Sequence, residues 1–118
     1  MKITVVGAGY VGLSLAVLIS QKYEVIVLDT QKEKVKKINQ NISPIEDLEL
    51  IEFLQNKKLK LRATSEIEIA YKNADYIIIA TPTNYDVESG TFDTSSVEAV
   101  IAKCIEFSKK STLVIKST

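Results

Sequence analysis

The chain contains no histidine. That absence removes Ser-His-Asp and Cys-His nucleophilic catalysis, histidine metal sites and ordinary imidazole acid–base chemistry from these residues. Cys104 is the single cysteine, so an internal disulfide and a zinc site built from cysteine pairs are excluded, and a reducing compartment is expected. No charge of one sign prevails, because fifteen Lys+Arg balance fifteen Asp+Glu. Non-specific nucleic-acid binding needs a broad positive field that this balance does not supply, so nucleic acid is not an expected partner. Long apolar runs are scarce too. Met1 to Ile19 superficially resembles a secretory signal, but it carries three glycines in a fixed pattern, and a strand follows with no small-residue cleavage site between. No other run approaches the roughly 20 apolar residues that span a bilayer. A cytoplasmic protein without a membrane partner is the expectation. No Pro/Gly-rich linker divides the 118 residues, which fit one domain. At 46% hydrophobic and 25% charged residues, they have the makings of an ordinary globular core. Whatever chemistry the protein joins, its reactive group comes from a cofactor or from residues outside this chain.

What is present alternates in a regular way. Ile3–Val6 is a short β-branched run, which fits a strand buried on both faces. The segment 10–21 is of helical length and apolar nearly all round, with Val11, Leu15, Leu18 and Ile19 on one side, and is expected to be largely buried. A second buried strand over 25–28 precedes a lysine-rich amphipathic helix over 31–40 that contacts the core through Val35 and Ile38. After turn residues at 41–44, Leu48, Ile51, Phe53 and Leu54 support a shorter helix, and 59–62 alternates like a more exposed strand. Thr64-Ser65 is placed to cap a helix to about residue 72. A strand over 76–80, a polar loop over 81–93, a helix over 94–107 and a strand over 112–116 complete the chain. Such alternation predicts an α/β fold: a doubly wound parallel sheet with right-handed crossovers and helices on both faces.

Chemistry enters with Gly7-Ala8-Gly9-Tyr10-Val11-Gly12, a G-x-G-x-x-G that leaves a predicted strand and opens a predicted helix. Gly7 permits the tight turn, Gly9 lets a diphosphate approach the backbone, and Gly12 lets helix and strand pack closely. Free N–H groups at the helix start favour an anion. Asp29 falls at the tip of the second strand, 17 residues beyond Gly12, close to the spacing of a ribose-binding acid. Its charge repels a 2′-phosphate and no arginine adjoins it, which favours NAD over NADP. On position alone Asp29 also reads as a cap for the helix that follows, and Lys34, one turn further on, as either a ribose contact or a solvated lysine. Thr81-Pro82-Thr83-Asn84 follows a strand that delivers its C-terminal end to the same crevice, and is a cofactor contact or an ordinary turn. The same topology puts Lys116-Ser117-Thr118 on that edge. Cys104 shares a helix face with Val97, Val100 and Ile101 and reads as a core thiol. Asp86, Glu88 and Asp93 lack metal-ligand spacing, so no metal site is expected.

These pieces together resemble the N-terminal NAD-binding (Rossmann) domain of the UDP-glucose/GDP-mannose 6-dehydrogenase family. The similarity rests on Met1-Lys2-Ile3 leading into Gly7-Ala8-Gly9-Tyr10-Val11-Gly12-Leu13, on Ala80-Thr81-Pro82-Thr83, on Phe92-Asp93-Thr94 and on Val114-Ile115-Lys116-Ser117-Thr118, and so extends over the whole chain. It implies an enzyme that oxidises the C6 hydroxyl of a nucleotide sugar to a carboxylate in two hydride transfers, with two NAD molecules in turn. It implies that Val11, beside Tyr10 and the three glycines, meets the pyrophosphate and that Asp29 and Lys34 hold the adenosine ribose. By the same resemblance Thr81, Pro82 and Thr83 lie along the cofactor. Thr118 stands where members use a threonine next to the nicotinamide and the catalytic water, making it the one catalytic candidate.

Two departures from the family pattern matter. Many members follow the Ser43-Pro44-Ile45 position with a Glu-Pro-Gly-Leu type segment, whereas this chain reads Glu46-Asp47-Leu48-Glu49 and is more similar to the shorter bacterial UDP-glucose 6-dehydrogenases. The family's cysteine nucleophile, catalytic lysine, central helix and UDP-sugar domain lie in later sequence, outside residues 1–118. The chain is therefore expected to bind NAD without turnover, with the UDP-sugar a partner of the full-length enzyme only and that enzyme a homodimer. A stand-alone NAD-sensing regulatory Rossmann module is the alternative reading.

Overall fold

β1 (Lys2–Val6) lies at the centre of a five-stranded sheet, and cover on both of its faces explains why Ile3, Val5 and Val6 are apolar. The computed structural model describes residues 1–56, 58–81, 84–86, 91–93, 95–107 and 111–116. β2 (Glu24–Leu28) and β4 (Tyr76–Ile79) flank β1, β3 (Leu61–Thr64) lies outside β2, and β7 (Thr112–Ile115) lies outside β4; every pairing is parallel. The strand order β3-β2-β1-β4-β7 reverses direction between β1 and β4. At such a reversal the connections leave to opposite faces and a crevice opens beyond the carboxyl ends of the strands.

The helices are α1 (Tyr10–Ser20), α2 (Lys32–Asn39), α3 (Leu48–Asn56), α4 (Ile67–Tyr71) and α5 (Ser95–Phe107). Side chains alternate across a strand, and the core divides accordingly. Ile3, Val5, Val25 and Val27 pack with Leu13, Ala16 and Val17 of α1, Ile38 of α2, and Leu50 and Leu54 of α3. Val6, Ile26, Leu28, Ile77 and Ile79 point the other way, toward Ala70 and Tyr71 of α4 and Val100 and Ile101 of α5. Each fully buried aliphatic side chain in these layers contributes about 1.5–3 kcal/mol. The doubly wound sheet expected from the sequence is thus present.

Polar groups tie the layers together. Thr4, wholly buried in mid-strand, donates its hydroxyl to the Ala70 carbonyl, one of the last-turn acceptors that a short helix leaves unpaired. Lys2 Nζ serves the same helix end, donating to the carbonyls of Lys72 (2.6 Å) and Ile69 (3.3 Å). Burial, with Arg62 adding to it, holds the Lys2 pKa below the ordinary lysine value. Asn39 donates to the Ala63 carbonyl (3.0 Å) and accepts from the Ala63 N–H (2.8 Å), occupying backbone groups of edge strand β3. Asn41, at φ 61°, then ends α2: Ile42 N–H donates to the Lys37 carbonyl and Asn41 N–H to that of Ile38.

Four expectations are corrected. The expected polar loop over 81–93 contains a hairpin, β5 (Asn84–Asp86) antiparallel to β6 (Thr91–Asp93), with strand-favouring Tyr85 and Phe92 in register. The strand expected over 59–62 is displaced to β3, because its partner Val25–Leu28 pairs with Leu61–Thr64. α4 starts only after Glu66; Thr64 Oγ1 instead accepts the Glu66 N–H (3.1 Å) and shapes the preceding turn. α1 is not buried all round. Gly12 must face β1, so Leu13, Ala16, Val17 and Ser20 go inward, and Leu18 on the opposite side is 60% exposed.

Candidate functional site

A cavity of about 740 Å³ opens at the strand-order reversal. Its floor is the turn from β1 into α1, Gly7 to Val11; one wall is the end of β2, with Asp29, Thr30, Gln31 and Lys34; another is Ala80-Thr81 after β4. Ser65, Ile67, Tyr71, Ala99, Val100 and Lys103 close an end that is largely apolar, and Lys116 lies at the β7 side.

The three glycines of the motif answer to three different constraints. Gly7 has φ +102°, a conformation that L side chains rarely adopt, and a Cβ there would lie 2.9 Å from the Ala80 carbonyl oxygen. At Gly12 a Cβ would lie 1.9 Å from the Gly7 carbonyl oxygen, so only hydrogen lets α1 rest this close to the loop. Gly9 is different. Its φ of −77° and ψ of −173° suit any residue, and a Cβ would meet nothing within 4 Å. Among the described residues no atom requires glycine there; the open space above it does, if a ligand backbone is to lie on the loop. α1 begins at Tyr10 with no side-chain cap on Gly9, and its first helical bond runs from Leu13 N–H to the Gly9 carbonyl. The N–H groups of Tyr10, Val11 and Gly12 have no acceptor among the described residues. A bare helix start beside open space fits a diphosphate.

Asp29 is half-buried at the end of β2. Its Oδ2 accepts the Ala8 N–H and its Oδ1 the Gln31 N–H, both at 2.8 Å. The capping reading fails, because α2 is capped at Gln31 with no side-chain bond. Asp29 instead joins the glycine loop, through Ala8, to the backbone of Gln31, the residue that opens α2. Lys34 is half-buried one turn into α2 and lines the cavity, and exposed Tyr10 lines it from the first turn of α1. Thr81 lines it too, and its buried hydroxyl oxygen has no partner among the described residues.

Lys34, Lys103 and Lys116 against Asp29 give the cavity a cationic rim suited to an anionic ligand. Lys103 was not foreseen from the sequence. Its signal is the spacing Ala99-Val100-Lys103, which puts all three on one face of α5. Pro82, Thr83, Ser117 and Thr118 lie outside the described residues, as do Glu88 and the side chains of Asn84, Asp86, Asp93 and Cys104. Among the described residues no three His, Cys, Asp or Glu side chains are grouped to hold a metal ion, and no helix is long and apolar enough to cross a membrane.

Comparison with known proteins follows the same lines. The sequence model of the UDP-glucose/GDP-mannose dehydrogenase family, NAD binding domain, matches residues 1–118. A UDP-glucose 6-dehydrogenase of Streptococcus pneumoniae is 53% identical over 118 residues, covering 100% of this chain and 30% of that one. One from Campylobacter jejuni is 45% identical over 120 residues, with the same coverage of both chains. Among solved structures, the ternary complex of GDP-mannose dehydrogenase from Pseudomonas aeruginosa superposes with a TM-score of 0.87 at 30% identity, covering 100% of this chain and 28% of that one. The chain thus spans about 30% of the length of the curated relatives it matches.

Proposed function

Since the chain belongs to the UDP-glucose/GDP-mannose dehydrogenase family and corresponds to its NAD-binding domain, we propose that it is the cofactor-holding part of a UDP-glucose 6-dehydrogenase. The reaction is oxidation of the sugar C6 hydroxyl to a carboxylate, giving UDP-glucuronate. UDP-glucose is favoured among nucleotide sugars because the relatives named for it reach 53% and 45% identity over the whole chain, against 30% for the GDP-mannose enzyme. The family match likewise favours the dehydrogenase reading over a stand-alone sensing module.

NAD supplies the hydride acceptor; the residues of this chain bind and orient it. The free N–H groups of Tyr10, Val11 and Gly12 take the diphosphate over the open space at Gly9, Gly7 and Gly12 shape that surface, and the dipole of α1 adds to the attraction. Asp29 takes the adenosine ribose hydroxyls with its remaining lone pairs, Lys34 supports it, and the apolar end near Ile67, Tyr71 and Val100 receives the adenine. By resemblance to the family we assign Thr81, Pro82 and Thr83 to the cofactor, and Thr118 to the nicotinamide and the catalytic water. The family's cysteine nucleophile and UDP-sugar site lie outside residues 1–118, so these residues bind NAD without oxidising the sugar by themselves. The parent enzyme is cytoplasmic and homodimeric in the same reading, the single cysteine supporting a reducing compartment.

Gly9 carries the proposal, being a glycine that no contact among the described residues calls for and that a bound ligand explains. The test is calorimetry of the chain with NAD, followed by addition of UDP-glucose while absorbance of reduced nicotinamide is monitored. Heat of NAD binding without an absorbance rise is expected; turnover, or no NAD binding, would refute it.

A further inference from the structure

We infer that Asp29 is a positioning residue for the phosphate cradle, in addition to the ribose contact proposed for it. The inference rests on the reading of the cavity as a dinucleotide site and goes beyond it, since the bond concerned is made without any ligand. Two consecutive N–H groups of the glycine loop are held from the end of β2. Gly7 N–H donates to the Leu28 carbonyl and Ala8 N–H to Asp29 Oδ2, each at 2.8 Å. The next amides, which begin α1, are left for the ligand. Ala8 is wholly buried with the carboxylate in place, and Asp29 Oδ2 is the acceptor of its N–H. An ionised carboxylate has about four lone-pair positions, and the Ala8 and Gln31 bonds use two, leaving one on each oxygen for ribose hydroxyls.

Without the Asp29 carboxylate, Ala8 N–H loses its charged acceptor, and with it the bond that ties this part of the loop to the end of β2. Gly7 is where the loop can move, because glycine at φ +102° has other conformations within reach. Rotation of the Gly7–Ala8 peptide re-aims Gly9 and the start of α1. The diphosphate surface then loses its geometry even for a ligand that never touches the carboxylate.

This gives a difference in sign that a ribose contact alone does not. The probes are ADP and 2′,3′-dideoxyadenosine 5′-diphosphate, which keeps adenine and diphosphate but lacks both ribose hydroxyls. If Asp29 acts only on the ribose, Asp29→Ala leaves the dideoxy probe unaffected or tightens it, because a negative charge near the diphosphate has gone. If Asp29 positions the loop, Asp29→Ala weakens the dideoxy probe by at least about fivefold, the size expected for losing a charge-assisted bond. Asp29→Asn, which keeps one acceptor oxygen, should fall between the alanine variant and the unaltered chain. Amide exchange at Ala8 in ligand-free protein supplies an independent readout: protection is expected in the unaltered chain and its loss in Asp29→Ala. Undiminished binding of the dideoxy probe by Asp29→Ala, or unchanged Ala8 protection, overturns the inference. Failure of the unaltered chain to bind either nucleotide overturns the dinucleotide reading instead, and the exchange measurement then still decides whether Asp29 fixes the loop.

Discussion

Replacing Gly12 by alanine places a carbon 1.9 Å from the Gly7 carbonyl oxygen, about 1.1 Å inside the 3.0 Å limit that real Cβ contacts respect. The obstacle is backbone, so α1 must retreat from the sheet. Leu13, Ala16 and Val17, each no more than 2% exposed, move with it. A gap of 0.5–1 Å forfeits roughly a quarter to a half of a dispersion well, which across these three side chains amounts to about 1–3 kcal/mol. Strain from overpacking adds about 1–3 kcal/mol. Alanine returns about 1 kcal/mol through helix propensity and a stiffer unfolded chain. The net loss is about 3 kcal/mol, a fall in Tm of roughly 12 °C for a chain of this size. Gly9→Ala is the control. It enters open space, so its Tm should stay within about 4 °C, while its methyl group occupies the proposed diphosphate path and weakens NAD at least about tenfold. Thermal unfolding by circular dichroism and calorimetric titration with NAD measure both. Gly12→Ala melting with the unaltered chain, or Gly9→Ala binding NAD as tightly, would refute the separation of structural from ligand-imposed glycines.

Other consequences are equally direct. NAD should bind at least about tenfold more tightly than NADP, and Asp29→Ala should narrow that gap by relieving repulsion of the 2′-phosphate; competition titrations with both nucleotides check this. Lys34→Ala should weaken NAD about threefold to tenfold and flatten the salt dependence of binding. Asn39→Ala removes both side-chain bonds to Ala63 and should cost about 1–3 kcal/mol in urea unfolding. The Lys2 pKa is lowered in the folded state, so between that value and the unfolded lysine value the unfolded chain binds more protons and stability rises with pH. Relative to a Lys2→Met variant, the unaltered chain should therefore gain stability as pH approaches the ordinary lysine range.

The sheet was legible because its inner strands are largely apolar β-branched runs, as strands covered on both faces tend to be, and because the glycine motif pinned the first turn. The glycine motif and Asp29 were legible for a related reason: spacing along one β-α-β unit converts directly into proximity. Tertiary pairing decided the rest. Residues 59–62 alternate like a strand, yet the register of β2 selects Leu61–Thr64. The stripe Val11, Leu15, Leu18 and Ile19 is as apolar as the face that is buried, and the close Gly7–Gly12 approach, which no periodicity reveals, helps set which side meets the sheet. Lys103 joins the cavity from α5, some 70 positions beyond Asp29, a distance no local pattern spans. The second bond of Asp29, to Ala8, is a three-dimensional fact of the same kind.

The central claim, that a glycine loop and Asp29 together form an NAD site in these 118 residues, is tested most directly by calorimetric titration of the chain with NAD and with NADP. The expected result is saturable one-site binding of NAD, with NADP markedly weaker. Absence of NAD binding, or equal affinity for the two nucleotides, would contradict it.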